Sequence, residues 1–275
     1  MHSLRAAIAI LPTLLVLLTG CQSGYSRFFT SAVTEPHPPI AEYAKYNLVA
    51  YAGEPVVQYE LFNEELGRRL LEDGFVPLGE SSFSGPMEDE GALIAQAKRI
   101  GAELVIASSQ YERTAAGAIP LTTYTPQTFN SSGTVYTNSG WATYSGTSWG
   151  TVSQTTMMPY SVDRYYHGAS YWTRNARPRI FGGYVDELSI EDRRQVGAND
   201  GVRLIAAQRD SAAWKANLLP GDILLAIDGQ PVKSTRDWAE KIEQSAGKAV
   251  AITVSRGSER RDIVVRLNPK PSPEK

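Results

Sequence analysis

Residues 201–232 read GVRLIAAQRDSAAWKANLLPGDILLAIDGQPV and predict a short strand–helix–strand unit. Two apolar runs, Leu204–Ala207 and Ile223–Ile227, are bounded by turn residues, as buried strands require. Asp228-Gly229 predicts a tight turn, because glycine accepts the positive φ that such a turn needs. Ser211–Leu218 has the length of one or two helical turns, and a Pro-Gly pair ends it.

Downstream of this unit, Ser234–Ser245 has a helical pattern, and Ala249–Val254 and Asp262–Leu267 have strand-like patterns. The order of small-residue helix, L-x-P-G-D, apolar strand, D-G and P-V resembles a PDZ domain. The resemblance is to the circularly permuted form carried by trypsin-like periplasmic quality-control proteases. It implies a PDZ domain over residues 178–268, folded as a β-barrel or sandwich with two helices, and a disordered tail over residues 269–275.

The resemblance also implies a peptide-binding groove. Ile180-Phe181-Gly182-Gly183 match the family's carboxylate-binding loop, and Tyr184-Val185 match the start of the strand beside which a peptide adds. Successive backbone N–H groups hold the peptide carboxylate in this binding mode, and glycine permits the close turn. Trp238 and Ile242 are four residues apart on the predicted helix, so they share the face that walls the groove.

One position departs from the family pattern. The residue after the central glycine is usually a larger apolar one, whereas this chain has Gly183. We expect that glycine to loosen the loop and weaken peptide binding. The alternative is a PDZ fold that serves only as a structural packing module.

The N-terminus has the pattern of a targeting segment. Arg5 precedes an apolar run over Ala6–Leu18, which is shorter than the ~20 residues of a membrane-spanning helix. Leu18-Thr19-Gly20-Cys21 resembles a bacterial lipobox, which implies a signal peptide over residues 1–20 and acylation of Cys21, the only cysteine. By the family's sorting rule, Gln22 after the cysteine implies the outer membrane, on its periplasmic face.

Charge and cysteine usage exclude several classes of partner. The 27 basic residues lose Arg5 on processing and the 29 acidic residues lose none, so the net charge moves from −2 to about −3. That balance offers no electrostatic footprint for nucleic acid or anionic lipid headgroups. A single cysteine allows no intrachain disulfide.

The N-terminal half predicts a tether followed by an α/β domain. Residues 21–44 mix proline, serine and isolated aromatics without sustained periodicity, which indicates a partly extended tether with His37 solvated in it. Residues 45–175 alternate strand and helix patterns, which favour a small α/β sandwich in which helices cover an open sheet. Ser81–Pro86 is interpreted as a turn. The layout vaguely resembles uncharacterised bacterial lipoproteins, and the overall fold class is α+β.

An insertion over residues 114–162 interrupts this domain. Its 49 residues contain no charged side chain and are rich in Thr, Ser, Gly and Tyr, with Trp141 and Trp149 interspersed. Low complexity and length favour a long loop or a projecting hairpin. The competing interpretation is an aromatic surface that contacts glycan or a protein partner.

A protease site was tested against the sequence, because the permuted PDZ domain commonly follows a serine protease domain. The closest match to a nucleophile motif is Asn138-Ser139-Gly140, with only His37 upstream and His167 downstream. The chain lacks G-x-S-x-G, H-E-x-x-H and C-x-x-C. We therefore predict no catalytic residues, no metal and no cofactor, with His167 as a strand residue.

Together these observations predict a lipid-anchored periplasmic adaptor or scaffold. Its partners would be C-terminal or extended peptide segments of envelope proteins. The first alternative is a peptidase or peptidase subunit with an unrecognised site. The second is an envelope protein whose aromatic insertion binds cell wall or glycan.

Overall fold

The computed structural model describes residues 22–257 and 259–270. The signal peptide predicted over residues 1–20, the predicted acylation site Cys21 and most of the predicted tail lie outside the described residues. Within the described part of the chain, no helix is both long enough and apolar enough to cross a membrane.

The first half of the chain forms a five-stranded mixed sheet with the strand order β1-β3-β5-β4-β2. β2 runs parallel to β4, and β1 runs antiparallel to β3. The strands are β1 Phe29–Ser31, β2 Val56–Tyr59, β3 Phe75–Gly85, β4 Leu104–Thr137 and β5 Gly140–Arg174. The helices are α1 Gly24–Arg27, a 3-10 helix Ile40–Tyr46, α2 Glu64–Glu72 and α3 Glu90–Arg99.

The two longer helices of this half confirm the sequence prediction, and their ends have clear physical causes. The side chain of Asn63 accepts a hydrogen bond from the N–H of Leu66 and caps α2, and Asp89 caps α3. Gly74 has a φ of 87° just after α2, a conformation that glycine adopts without steric cost. The apolar faces of both helices cover the sheet, as an α/β layer requires.

The prediction of a tether over residues 21–44 was wrong, because residues 22–44, the part of it that the structure describes, belong to the folded sheet domain. Phe29 and Ser31 pair with Ser81 and Gly79 of β3. Tyr25 and Tyr43 are 5% and 2% exposed and lie in the core. The aromatic residues of this segment bury enough apolar area to offset the entropy of ordering a proline-rich chain.

The interpretation of Ser81–Pro86 as a turn was also wrong, because β3 continues to Gly85. Burial alternates along this part of the strand, with Ser81 and Phe83 buried and Ser84 exposed. The buried Ser81 hydroxyl donates to the carbonyl of Tyr25 at 2.7 Å. This bond satisfies the buried hydroxyl, while the pairing of Ser81 with Phe29 of β1 keeps the backbone extended here.

The uncharged insertion forms the outer part of a long hairpin built by β4 and β5. Asn138 and Ser139 make the two-residue turn between the strands. Residues Ser109–Tyr166, hereafter the arm, form a compact unit with Ser84–Met87, separate from the rest of the chain. The remaining parts of the sheet domain and the C-terminal domain fall together in the other unit.

The C-terminal domain is a six-stranded arrangement with the order β11-β10-β8-β7-β6, in which β9 pairs with β8. The order is open at β6 and β11, so the described strands form a sandwich-like layer and no closed barrel. The elements are β6 Gly183–Glu187, α4 Ile190–Val196, β7 Val202–Ala207, α5 Ala212–Lys215, β8 Ile223–Ile227, β9 Gln230–Pro231, α6 Thr235–Gln244, β10 Ala249–Arg256 and β11 Glu259–Arg266.

This domain has one helix more than the two that the sequence predicted. Helix α4 begins with a capping box, in which Ser189 and Asp192 satisfy each other's backbone N–H groups. Gly197 ends it with a φ of 66°. The pattern S-x-x-D followed by glycine is typical of such a short helix. The prediction of two helices came from the resemblance to the family, which does not include this one.

The aspartate of the L-P-G-D motif has a structural task. Asp222 is 1% exposed, accepts from the N–H of Leu219 at 2.9 Å and forms two 2.7 Å hydrogen bonds with the guanidinium of Arg256. These contacts hold the turn before β8 against β10. The motif therefore organises the core and contributes nothing to the groove.

Candidate peptide-binding groove

A groove with a volume of about 650 Å³ lies between the edge strand β6 and helix α6. All eight residues that the sequence assigned to peptide binding line it together. They are Ile180, Phe181, Gly182, Gly183, Tyr184, Val185, Trp238 and Ile242. The loop, the strand and the helix therefore converge on one concave surface.

The loop before β6 is fixed through its carbonyl groups. The carbonyls of Ile180, Phe181 and Gly182 accept hydrogen bonds of 2.8–2.9 Å from Asn268, Ala213 and Gln208. Gly182 has a φ of 73°, and an added Cβ would lie 2.2 Å from the Cβ of Ser211. A residue with a side chain therefore fits neither the backbone nor the space at this position.

The same loop leaves N–H groups available to a ligand. Among the backbone hydrogen bonds of the described residues outside helices and strands, none has the N–H of Phe181 or Gly182 as donor. The bond from Gln208 to the Gly182 carbonyl makes Gly183 and Ala207 a non-hydrogen-bonded pair. The N–H of Gly183 consequently points away from β7. Successive N–H groups without a backbone acceptor suit an anion such as a carboxylate.

The strand β6 has one unpaired edge. It pairs with β7 on one side, from Gly183↔Ala207 to Glu187↔Val202, and ends the sheet on the other. The far end of the strand is joined to the start of α6, because Glu187 accepts from the N–H and the hydroxyl of Thr235 at 2.8 and 2.7 Å. These hydrogen bonds, the backbone one first, lower the pKa of the Glu187 carboxyl. The strand and the helix are thus held as fixed sides of the groove.

The floor of the groove is aromatic and belongs to the core. The rings of Phe181 and Trp238 meet edge to face with centroids 5.0 Å apart, and both side chains are 4% exposed. A Cβ on Gly183 would lie 2.3 Å from the Phe181 ring and 2.9 Å from Leu204. The ring of Phe181 therefore occupies the space that a larger residue at position 183 would need. This is a steric reason for the glycine at position 183, and the loop is tied to the rest of the domain by its three carbonyl contacts.

Charged side chains lie at the rim of the groove. The guanidinium of Arg179 stacks over the ring of Tyr184 at 4.5 Å, and Lys270 pairs with Glu243 on α6 at 2.8 Å. Among the ion pairs of the described residues, Arg179 has no carboxylate partner. It is the cation that a ligand carboxylate would meet beside the loop.

Several residues that line the groove were not predicted from the sequence. They are Asn47, Arg179, Thr235, Ala239, Glu243 and Lys270. Helical spacing could have found Thr235, Ala239 and Glu243, because residues three or four apart share a helix face. Thr235 is three residues before Trp238, Ala239 is three before Ile242, and Glu243 is four after Ala239. Asn47 belongs to the sheet domain, and no sequence pattern predicted it as a groove residue. Its place beside the groove depends on packing between distant parts of the chain.

The two histidines considered for catalysis have partners that serve the fold. His37 Nδ1 lies 2.8 Å from the hydroxyl of Ser31, and Nε2 lies 2.8 Å from the hydroxyl of Tyr43, which donates to the carbonyl of Ile100. The earlier interpretation of His37 as solvated was wrong. Burial, followed by the charge of Arg99, lowers the pKa of His37.

The contact between Ser31 and His37 does not have the arrangement of a serine protease triad. Tyr43 occupies the place where a triad has an acidic residue, and burial raises the pKa of its hydroxyl to about 12. His167 is fully buried in β5, as predicted for a strand residue, and stacks on Phe83 at 4.8 Å. Among the described residues, no cluster of His, Cys, Asp and Glu has the geometry of a metal site.

Comparison with known proteins identifies the C-terminal region. Residues 205–256 match the family model described as a PDZ domain. This match includes Trp238 and Ile242, and it begins after the loop and β6.

Two curated proteins are similar to parts of the chain. One is "Putative serine protease HhoB" of Synechocystis sp., 41% identical over 77 residues, which are 28% of this chain and 18% of that protein. The other is a "Putative zinc metalloprotease" of Neisseria meningitidis serogroup A, 36% identical over 67 residues, which are 24% of this chain and 15% of that protein. The similarity thus spans less than a fifth of either relative.

Among solved structures, "HtrA-type protease AlgWS227A with decapeptide" is 21% identical to this chain. The overlay covers 38% of this chain and 37% of that one, with a TM-score of 0.30, which supports no further conclusion. From the family match, together with the sheet order and the groove, the C-terminal part of this chain is a PDZ domain.

Proposed function

We propose that this protein binds peptide segments of other proteins in the groove between β6 and α6. The observation that carries the proposal is the unpaired edge of β6 directly beside a loop in which the N–H groups of Phe181 and Gly182 have no backbone acceptor and that of Gly183 points away from β7. An extended peptide would add to Tyr184–Glu187 as an antiparallel strand and place its terminal carboxylate on the loop. The fixed loop and the Glu187–Thr235 contacts mean that little ordering is needed on binding.

The chemistry of the groove favours peptides with a free C-terminal carboxylate. Three N–H groups and the guanidinium of Arg179 supply the positive potential at one end of the groove. Backbone hydrogen bonds provide contacts that do not depend on sequence, so selectivity comes from one or two side chains of the peptide. We expect micromolar affinity, about −8 kcal/mol.

The proposed setting is the cell envelope, where the protein acts as an adaptor or scaffold. Its basis is the lipobox-like Leu18–Cys21 pattern and Gln22. Two or more acyl chains, at about 0.8 kcal/mol per buried CH₂, would give stable attachment to the outer membrane on its periplasmic face. Cys21→Ser should release the protein to a soluble fraction or leave it unprocessed. A variant that matures and fractionates like the parent contradicts the anchor.

A role in proteolysis is the second candidate, because both curated relatives are described as proteases. In this alternative the groove would deliver peptides to a site that the sequence does not reveal, on this chain or on a partner. A fluorophosphonate probe on the purified full chain separates the two roles. Labelling that Ser31→Ala or Ser139→Ala removes would support a peptidase, and an unlabelled chain that binds peptides supports an adaptor.

The direct test of the proposal is a titration of the full chain with peptide pairs that differ only in a free or amidated C-terminus. We expect the free form to bind at least about tenfold more tightly, since amidation removes the charge that the loop and Arg179 recognise. Arg179→Gln should narrow that difference while leaving the amidated peptide unaffected. If neither form binds across a diverse library, the PDZ fold is structural and the adaptor role fails.

A further inference from the structure

The two faces of β6 meet different parts of the chain. Val185 packs against the core of the PDZ domain, whereas Tyr184 packs against the core of the sheet domain. Side chains alternate along a strand, so these contacts assign one face of β6 to each domain. A peptide added beside β6 would extend the same sheet and alternate its side chains between the same two faces. One face of a bound peptide, hereafter the Tyr184 face, would therefore be turned toward the sheet domain.

The sheet domain reaches the groove beside the loop. Asn47 lines the groove, and its side-chain amide holds the linker that leads into the PDZ domain. Its Oδ1 accepts from the N–H of Arg177 at 2.9 Å, and its Nδ2 donates to the carbonyl of Arg177 at 3.0 Å. These two hydrogen bonds fix the linker just before the loop that begins at Ile180.

Arg179 lies in this fixed stretch and presents its charge on the Tyr184 face. Its carbonyl accepts from Nδ2 of Asn268 at 2.8 Å, and its guanidinium stacks over the Tyr184 ring at 4.5 Å. Within the described part of the chain, this guanidinium forms no ion pair with a carboxylate. A guanidinium that is already positioned loses little freedom when it binds an anion.

The charges around the groove favour an acidic side chain near the loop and disfavour one farther along the strand. Glu243 and Lys270 also line the groove, but they pair with each other at 2.8 Å. Asp186 is two residues beyond Tyr184 on β6 and shares its face. The Tyr184 face therefore changes from a cation at the loop end to a carboxylate farther away.

We propose that the sheet domain completes the peptide site and that the groove selects peptides with an acidic residue in the penultimate position. This inference rests on the proposed function. The last side chain of the peptide would enter the groove toward Trp238 and Ile242, so the penultimate one lies on the Tyr184 face. There its carboxylate accepts hydrogen bonds from the Arg179 guanidinium, whose five N–H groups can serve the terminal carboxylate as well. Asn47 is a positioning residue, because it holds the linker that carries Arg179.

Peptides that differ by a single neutral replacement test the preference. The full chain is titrated with two peptides that both have a free C-terminus and differ only in Glu or Gln at the penultimate position. We expect the Glu peptide to bind about three- to fivefold more tightly, as for a partly exposed ion pair. The preference should shrink in about 1 M salt, where the Debye length is about 3 Å. The same exchange two residues farther from the terminus, near Asp186, should give no gain.

Two matched pairs of variants assign the preference to residues. Arg179→Gln should bring the affinity ratio of the two peptides close to one. Arg236→Gln removes a cation that pairs with Glu240 on α6 outside the groove lining, and should keep the ratio of the parent. Asn47→Gly keeps a left-handed backbone, φ 57°, but removes both bonds to the linker, and should at least halve the preference. Asn217→Gly, at a φ of 55° outside the groove, should leave it unchanged.

The outcomes separate this inference from the proposed function. If both peptides bind equally well, the inference fails and the peptide-binding role stands, whereas both fail if neither peptide binds. A full preference in Arg179→Gln or in Asn47→Gly also overturns it. If Asn47→Gly does not fold, a benzophenone side chain at the penultimate position of the peptide provides the second measurement on the parent chain. It should crosslink to the sheet domain next to Asn47, and the same group one position earlier should crosslink to α6. Labelling confined to the PDZ domain from both positions would refute the part assigned to the sheet domain.

Discussion

Replacing Gly182 with alanine tests whether the groove loop is built as described. At a φ of 73°, an alanine costs about 1–2 kcal/mol of backbone strain. Its Cβ would also lie 2.2 Å from the Cβ of Ser211, which must move at a further cost of about 1–3 kcal/mol. We therefore expect Gly182→Ala to lower the free energy of unfolding by about 2–5 kcal/mol.

Gly229 is the matched control for this substitution. It has a φ of 76° in the same domain, and an added Cβ there meets no atom of the described chain within 4 Å. Gly229→Ala should therefore cost only the backbone strain, about 1–2 kcal/mol. Urea unfolding of both variants, compared at equal m-values, gives the difference directly.

A rescue completes the experiment. Ser211→Gly removes the Cβ that the new side chain meets, at the expense of a few tenths of a kcal/mol for the cap of α5. The double variant should recover at least about 1 kcal/mol relative to the sum of the single changes. Equal costs for Gly182→Ala and Gly229→Ala, together with strict additivity in the cycle, would refute the packing of the loop on Ser211.

Three further perturbations have expected outcomes. Trp238→Ala should lower the free energy of unfolding by about 3–5 kcal/mol, because the Trp238 ring is buried against Phe181. Trp214 is half exposed, so Trp214→Ala should lower it by about 1 kcal/mol or less. Thermal unfolding of the two variants checks both values. Asp222→Ala should lower the free energy of unfolding by about 2–3 kcal/mol, because it leaves the partly exposed Arg256 guanidinium and the Leu219 N–H without their acceptor. Denaturant unfolding measures this loss. Because the pKa of His37 is lowered in the folded chain, the unfolded chain binds a proton at a higher pH than the folded chain does. The free energy of unfolding should therefore fall as pH drops below about 6.5. His37→Gln should flatten that part of the pH–stability curve, and an unchanged slope would contradict the contribution of His37.

Much of the C-terminal domain could be predicted because its signals are local. The D-G turn, the apolar strands and the helix bearing Trp238 each depend on neighbouring residues, and the structure confirms them. The groove loop was placed by a family resemblance and not by physical reasoning. Its contacts with Asn268 and Ala213 come from distant positions that no spacing rule connects.

The parts that could not be predicted depend on long-range partners. Residues 21–44 were predicted as a tether because Pro36, Pro38 and Pro39 obscure any periodic pattern. The sheet domain supplies the surface that buries Tyr25 and Tyr43. Asn47 reaches the groove for the same reason. In the arm, the strand partners are far apart in sequence, and glycines lie under the rings of Tyr144 and Tyr160, so no simple apolar alternation marked the two long strands.

The central claim is that peptides bind at the loop and edge strand of the PDZ domain. Amide hydrogen exchange of the full chain, with and without a bound C-terminal peptide, tests this most directly. The account predicts slowed exchange at Phe181, Gly182 and Gly183 and along the outer edge of β6, with the exchange of the arm unchanged. Peptide binding that leaves those three amides unprotected and slows exchange elsewhere would contradict it.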